Sequence, residues 1–163
     1  FGGQEVGAGE IHVGSTDHMP QVVAAVVLMA LAYIPAQRIV DVAVAERHWR
    51  DAFMKFRMQK FDESFLDYVK ALERDGRKGE ILFDFGRAMM DSQRNVPAID
   101  VFMAATENFV DPANFHNIAL CYYKEYGRAR DKGDKLLAQQ FHEKTEWAYR
   151  EALKLNVVYE QSL

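Results

Sequence analysis

One cysteine, Cys121, in 163 residues excludes any internal disulfide, so the core of this chain has to come from apolar burial alone. Proline and glycine are sparse: the four prolines are Pro20, Pro35, Pro97 and Pro112, and half of the ten glycines fall within residues 1–18. Beyond Arg38 the apolar positions follow a helical period, interrupted at only a few points, and no run alternates at period two for long enough to form a sheet. Basic residues are absent from 1–37, which carry Glu5, Glu10 and Asp17 but no Lys or Arg. With a net charge of -4, a pI near 5.7 and no Lys/Arg cluster, the chain lacks the basic face a nucleic-acid binder needs. No G-x-S-x-G, P-loop or G-x-G-x-x-G is present, and no two of His12, His18, His48, His116 and His142 sit at i, i+4 on one helix, while a zinc site needs three or four converging ligands.

What is there divides by charge. Residues 1–18, Gly-rich and polar, predict an extended flexible arm. The chain begins at Phe1 without a Met, which predicts a trimmed, processed or incompletely represented N-terminus. From Met19 to Gln37 no residue is charged, and nineteen residues rise about 28 Å as a helix, close to the ~30 Å hydrocarbon thickness of a bilayer. Val22, Val23, Val26, Val27, Leu28, Leu31, Tyr33 and Ile34 are the large residues that would face lipid. The alternative is a helix buried in the domain or against a partner, since Pro20, Gln21, Pro35 and Gln37 shorten the strictly apolar stretch. If the helix spans, Arg38, Arg47 and Arg50 all follow it, and the positive-inside bias puts the C-terminal body on the cytoplasmic or organellar-interior side. That body, with 20 basic and 21 acidic residues, is heavily charged and nearly neutral. The expected organisation is an arm at 1–18, an apolar helix at 19–44, a helical domain at 45–156 and a tail or the start of a capping helix at 157–163.

The body repeats. In 82–111, Gly86 and Ala98 fall twelve apart and Ala105 seven later, with Met89 and Phe102 between them. Small residues where two helix axes approach, with bulky ones filling the gaps on either side, describe an antiparallel helical hairpin. Leu82, Phe85, Gly86, Met89, then Ala98, Phe102, Ala105, then Pro112, resemble the tetratricopeptide repeat, the ~34-residue helix-turn-helix unit. Two weaker copies flank it. Upstream, Trp49, Ala52, Phe53 and Phe56 match the first helix and Ser64, Tyr68 and Ala71 the second, with a turn one residue short. Downstream, Phe115, Ile118, Ala119 and Tyr122 are followed by Thr145, Tyr149 and Ala152, with about fourteen extra residues between the halves. The resemblance implies an all-α fold of about three tetratricopeptide-type hairpins. A narrower similarity runs through the apolar helix, the Trp-containing segment after it, and DYVKAL and ILFDFGRAMM. It is to the repeat-bearing C-terminal part of O-antigen polymerase/ligase-like membrane proteins.

No residue set nominates a catalyst. Cys121, in NIALCYYKEY with no adjacent base, is expected as a small packing residue. His142 and Glu146 have i, i+4 spacing and are expected as a solvated contact. Most of Phe53, Met54, Phe56, Met58, Phe61, Phe65, Phe83, Phe85, Met89, Met90, Phe102 and Met103 are expected in the core. The resemblance implies a concave groove lined by the first helix of each repeat. Carried over, its positions are Arg50, Met54 and Arg57; Phe83, Arg87 and Met90; and His116, Leu120, Tyr123 and Lys124. Apolar anchors mixed with cations suit an extended or helical peptide with hydrophobic side chains and an acidic group. The family's chaperone-tail clamp needs Asn beside Lys at fixed groove positions, and only Asn117 fits, so that activity is not expected. The expectation is a membrane-anchored scaffold or accessory subunit that binds protein partners through its repeats and the bilayer through 19–37. It would be no enzyme, with no cofactor, metal, nucleic acid or small-molecule substrate. The rivals are the tail of a membrane glycosyl-transfer enzyme and a soluble repeat module.

Overall fold

The computed structural model describes residues 19–74 and 78–161, with side chains through Asn156. The arm expected at 1–18 lies outside the described residues. The fold is all-α: α1 (Met19–Arg57), α2 (Phe61–Arg74), α3 (Lys78–Asp91), α4 (Asn95–Thr106), α5 (Pro112–Asp131) and α6 (Lys135–Gln161). α6 runs on through 157–161, where a tail or cap was expected.

Three turns organise the chain. Gln59 (φ 59°), Gln93 (φ 65°) and Gly133 (φ 77°) each take the left-handed conformation that reverses the helix before it. In each case the next residue donates its N–H five residues back: Lys60 to Lys55 at 3.0 Å, Arg94 to Met89 at 2.9 Å and Asp134 to Ala129 at 3.0 Å. These bonds satisfy carbonyls that a helix end otherwise leaves open, and they hold two glutamines in a backbone region usually left to Gly or Asn. Each turn folds two helices into a hairpin: the C-terminal half of α1 with α2, α3 with α4, and α5 with α6.

Gln59 and Gln93 are 34 residues apart. Seven residues before them stand Ala52 and Gly86; five after them stand Ser64 and Ala98, then Tyr68 and Phe102, then Ala71 and Ala105, and all eight are buried. At the first crossing the Ser64 hydroxyl donates to the Ala52 carbonyl at 2.8 Å, so a polar side chain sits there without an unmet bond. The first hairpin is therefore in full register with the second and its turn is not shortened. Ala52, not Phe53, occupies the place of Gly86, because only a small side chain fits where the axes meet; Phe53 is 46% exposed.

The extra residues of the third hairpin are shared equally between its arms. Ala119 lies fourteen residues before Gly133 and Thr145 twelve after it, seven more on each side than in the second hairpin. Seven residues are close to two helical turns, so both arms lengthen without rotating their inner faces. Ala129 and Ala138 are buried within the extension. Arg128 bonds the Gln93 carbonyl at 3.4 Å, while Glu125 accepts from Arg128 at 2.6 Å and from Asn95 at 2.7 Å. The lengthened arm is thereby fastened to the turn of the hairpin before it.

Among the described residues, two apolar clusters hold the stack. One joins Ala52, Phe65, Tyr68, Ala71, Ile81, Phe85 and Ala88, with Phe85 5.2 Å from the stacked ring of Tyr68 and 5.6 Å from Phe65. The other joins Ile99, Phe102, Ile118, Ala119, Cys121 and Ala148. Asp111 caps α5 by accepting from Ala113 N–H at 2.7 Å, with Pro112 in the first turn where its missing N–H costs nothing.

The chain divides into two compact units, Phe1–Ile39 and Val40–Leu163. The division falls earlier than the 44/45 boundary read from sequence because Asp41 pairs with Arg74 at 3.3 Å and Ala45 is buried. In the first unit every described residue is exposed, including the whole apolar run Val22–Ile34.

Candidate functional site

The groove positions do not all stand open. In the third hairpin His116, Tyr123 and Lys124 are exposed and Leu120 is half-buried; the His116 ring lies 5.8 Å from Tyr149 and Tyr123 lies 6.1 Å from Tyr126. In the second, Phe83 is half-buried against Phe102 at 6.0 Å and Phe109 at 6.1 Å, and Met90 packs on the same cluster. Arg87 is exposed, its guanidinium 5.9 Å from the Phe83 ring. Phe83 and Met90 are thus core residues with one face outward, and Arg87 is the open side chain of that helix face.

The register of the first hairpin changes its groove set. Trp49, Phe53 and Phe56 occupy the places of Phe83, Arg87 and Met90, in correction of Arg50, Met54 and Arg57. Arg57 is exposed beside the turn. Arg50 and Met54 still border an opening, a cleft of about 400 Å³ between α1 and α3 lined by Glu46, Trp49, Arg50, Phe53, Met54 and Asp84. Arg50 bonds Glu46 at 3.2 Å, one turn away. The Trp49 indole N–H donates to Asp84 Oδ2 at 3.0 Å across the cleft floor. Burial pushes the Asp84 carboxyl above the ordinary carboxylate range, against the pull of the indole bond and Arg87. Sequence reasoning missed this pair. The signal was available in the dipeptides Gln59–Lys60 and Gln93–Arg94, 34 residues apart, which fix the turn and so the register. A second opening of about 410 Å³, between the start of α5 and the end of α6, is lined by Asp111, Pro112, His116, Tyr149, Leu153 and Asn156 among others.

Asp67, buried in the first hairpin, is a further inward carboxylate. It accepts from Lys55 and from Lys70 at 3.3 Å, and His48 Nδ1 lies 3.9 Å from it. Burial alone would raise its proton affinity; the two ammonium groups outweigh this and hold the carboxyl below its usual range. Cys121 is fully buried, which pushes its thiol up to about 12, so the nucleophilic thiolate is suppressed at neutral pH. His142 meets Glu146 at 3.5 Å on an exposed surface. Three of the residues expected in the core, Phe53, Met58 and Met103, are exposed.

Among the described residues one helix, α1, is long and apolar enough to cross a membrane, and none of its apolar window is buried. No protein-family model matches the chain, and no curated protein sequence matches it.

Proposed function

We propose that this chain is a membrane-anchored helical-repeat scaffold of the tetratricopeptide type, an accessory subunit that acts by binding protein partners and not by catalysis. The observation that carries the reading is the exposure of every residue from Met19 to Val40. Burying a Val, Leu or Ile side chain is worth about 1.5–3 kcal/mol, and eight of the large residues in this run stay outside any core. A bilayer is the apolar surrounding such a helix lacks. Arg38 and the later basic residues favour a single pass with the repeats on the cytoplasmic or organellar-interior side. The recurring crossing residues support the repeat type, and the α1, α3 and α5 faces give such a body a partner surface with Arg87 and Lys124 open to an acidic group.

Carbonate extraction tests the anchor. The full chain should stay with membranes, while a chain starting at Val40, which keeps the Asp41–Arg74 pair, should be soluble and helical by circular dichroism. A full chain that is soluble and monomeric without detergent overturns the membrane reading. Affinity purification in mild detergent with mass spectrometry tests the scaffold, which predicts stoichiometric membrane-protein partners.

A further inference from the structure

The cleft between α1 and α3 differs in charge from the rest of the groove. Asp67 is matched by the cations of its own chain, Lys55 and Lys70. Asp84 is not: among the described residues its hydrogen-bond donor is the neutral indole of Trp49, and Arg87, the nearby cation, lies over Phe83. A half-buried carboxylate with a neutral donor is a poor element of a closed core, since charge removed from water is stable only when paired. Beside it stand Trp49, Phe53 and Met54, an aromatic and thioether wall in an opening large enough for a side chain, while the cation on the rim, Arg50, is bonded to Glu46.

Resting on the scaffold reading above, we infer that this cleft receives a Lys or Arg side chain, flanked by apolar residues, from the juxtamembrane segment of another membrane protein. The chemistry fits at three points. The ammonium or guanidinium pairs with Asp84, the face of the exposed Phe53 ring attracts the same charge, and the methylene stem lies along Met54. The source follows from position in the chain: the cleft begins at Glu46, eight residues after Arg38, where the uncharged run ends. On the side selected by the positive-inside bias, neighbouring spans present Lys and Arg next to apolar residues. An acidic segment, which the α5 face accommodates, is repelled here by Asp84.

The test places the photo-crosslinker p-benzoylphenylalanine at Phe53, and in a second full-length chain at Tyr123, in the native membrane, with sequencing of the adduct peptides. The expected Phe53 adduct is a peptide carrying Lys or Arg among apolar residues within about ten residues of a predicted span. Asp84→Asn keeps the acceptor for Trp49 and removes the charge, so it should lower the Phe53 yield about tenfold and leave the Tyr123 yield unchanged. Adducts at Phe53 that lack a basic residue, or a yield indifferent to Asp84→Asn in a chain with an unaltered melt, overturn the inference. Adducts at Tyr123 with none at Phe53 overturn it too, while leaving the scaffold reading standing. Adducts at neither position count against both.

Discussion

Gly86 lies against the ring of Phe102: a Cβ built on it would fall 2.7 Å from Cε1, 2.8 Å from Cδ1 and 2.9 Å from Cζ. The ring is fully buried and cannot swing away. Ala is ordinarily better than Gly inside a helix by about 1 kcal/mol; here the overlap should reverse the sign and cost about 1–3 kcal/mol, and more for Gly86→Leu. Gly127, also inside a helix, has nothing within 4 Å of the place an alanine methyl would take, so Gly127→Ala should stabilise by about 0.5–1 kcal/mol. Urea melts of the full chain in detergent distinguish the two. A Gly86→Ala loss below about 0.5 kcal/mol counts against the crossing geometry.

The paired lengthening of α5 and α6 predicts that deletions are tolerated only in pairs. Removing Tyr123–Ala129 together with Leu136–His142 leaves seven residues from Ala119 to the turn and five from the turn to Thr145, the spacing of the second hairpin. Such a chain should keep its helical circular dichroism and lose about 1–3 kcal/mol with the contacts of Glu125 and Arg128. Removing either segment alone mispairs the inner faces and should abolish the cooperative melt.

The same equality explains what sequence could and could not reveal. The small residues at Gly86, Ala98 and Ala105 are legible because crossing sites admit nothing larger, and the fold class follows from them. The insertion was countable, but its even split was not, since a helix that grows by seven residues has the periodicity of one that does not. The first hairpin misled for a related reason. Phe53 resembles a core aromatic, and the pattern match places it at the crossing, one residue from the register that Gln59 fixes, where Ala52 stands. Which side chains face outward depends on that single residue, so a shift of one hid the Trp49–Asp84 pair although Gln59–Lys60 and Gln93–Arg94 carried the register.

Asp67 gives a pH test. Its folded proton affinity is lowered by Lys55 and Lys70, so its contribution is complete above the ordinary carboxylate value near 4 and fades as acid protonates the folded form. Lys55 is shifted the opposite way, chiefly by its bond to Asp67, so the pair persists through neutral pH and is lost only above the ordinary lysine range. Asp67→Asn should cost about 1–2 kcal/mol at pH 7, with the difference from the parent chain closing below about pH 4. A difference that stays constant from pH 7 to pH 3 means that Asp67 is not the charged partner.

Arg87 separates stability from binding. The exposed guanidinium over Phe83 contributes at most about 0.5–1 kcal/mol as a cation–π contact, and Arg87→Ala should move a melt by no more than that. Phe83 is unsuited to the same test, because it packs on Phe102 and Phe109 and its truncation removes core contacts worth about 3 kcal/mol. The variant to pair with Arg87→Ala is Lys124→Ala, exposed on the next groove helix. If the two cations hold an acidic partner segment, each truncation should weaken the complex, and Arg87, over an aromatic and nearer the centre of the stack, should cost the more, about 2 kcal/mol. The affinity, measured against the partner recovered with the parent chain, should also fall with salt, because these contacts are partly exposed. A double variant that melts like the parent and retains its partner with unchanged affinity would move the interface off the α3 and α5 faces.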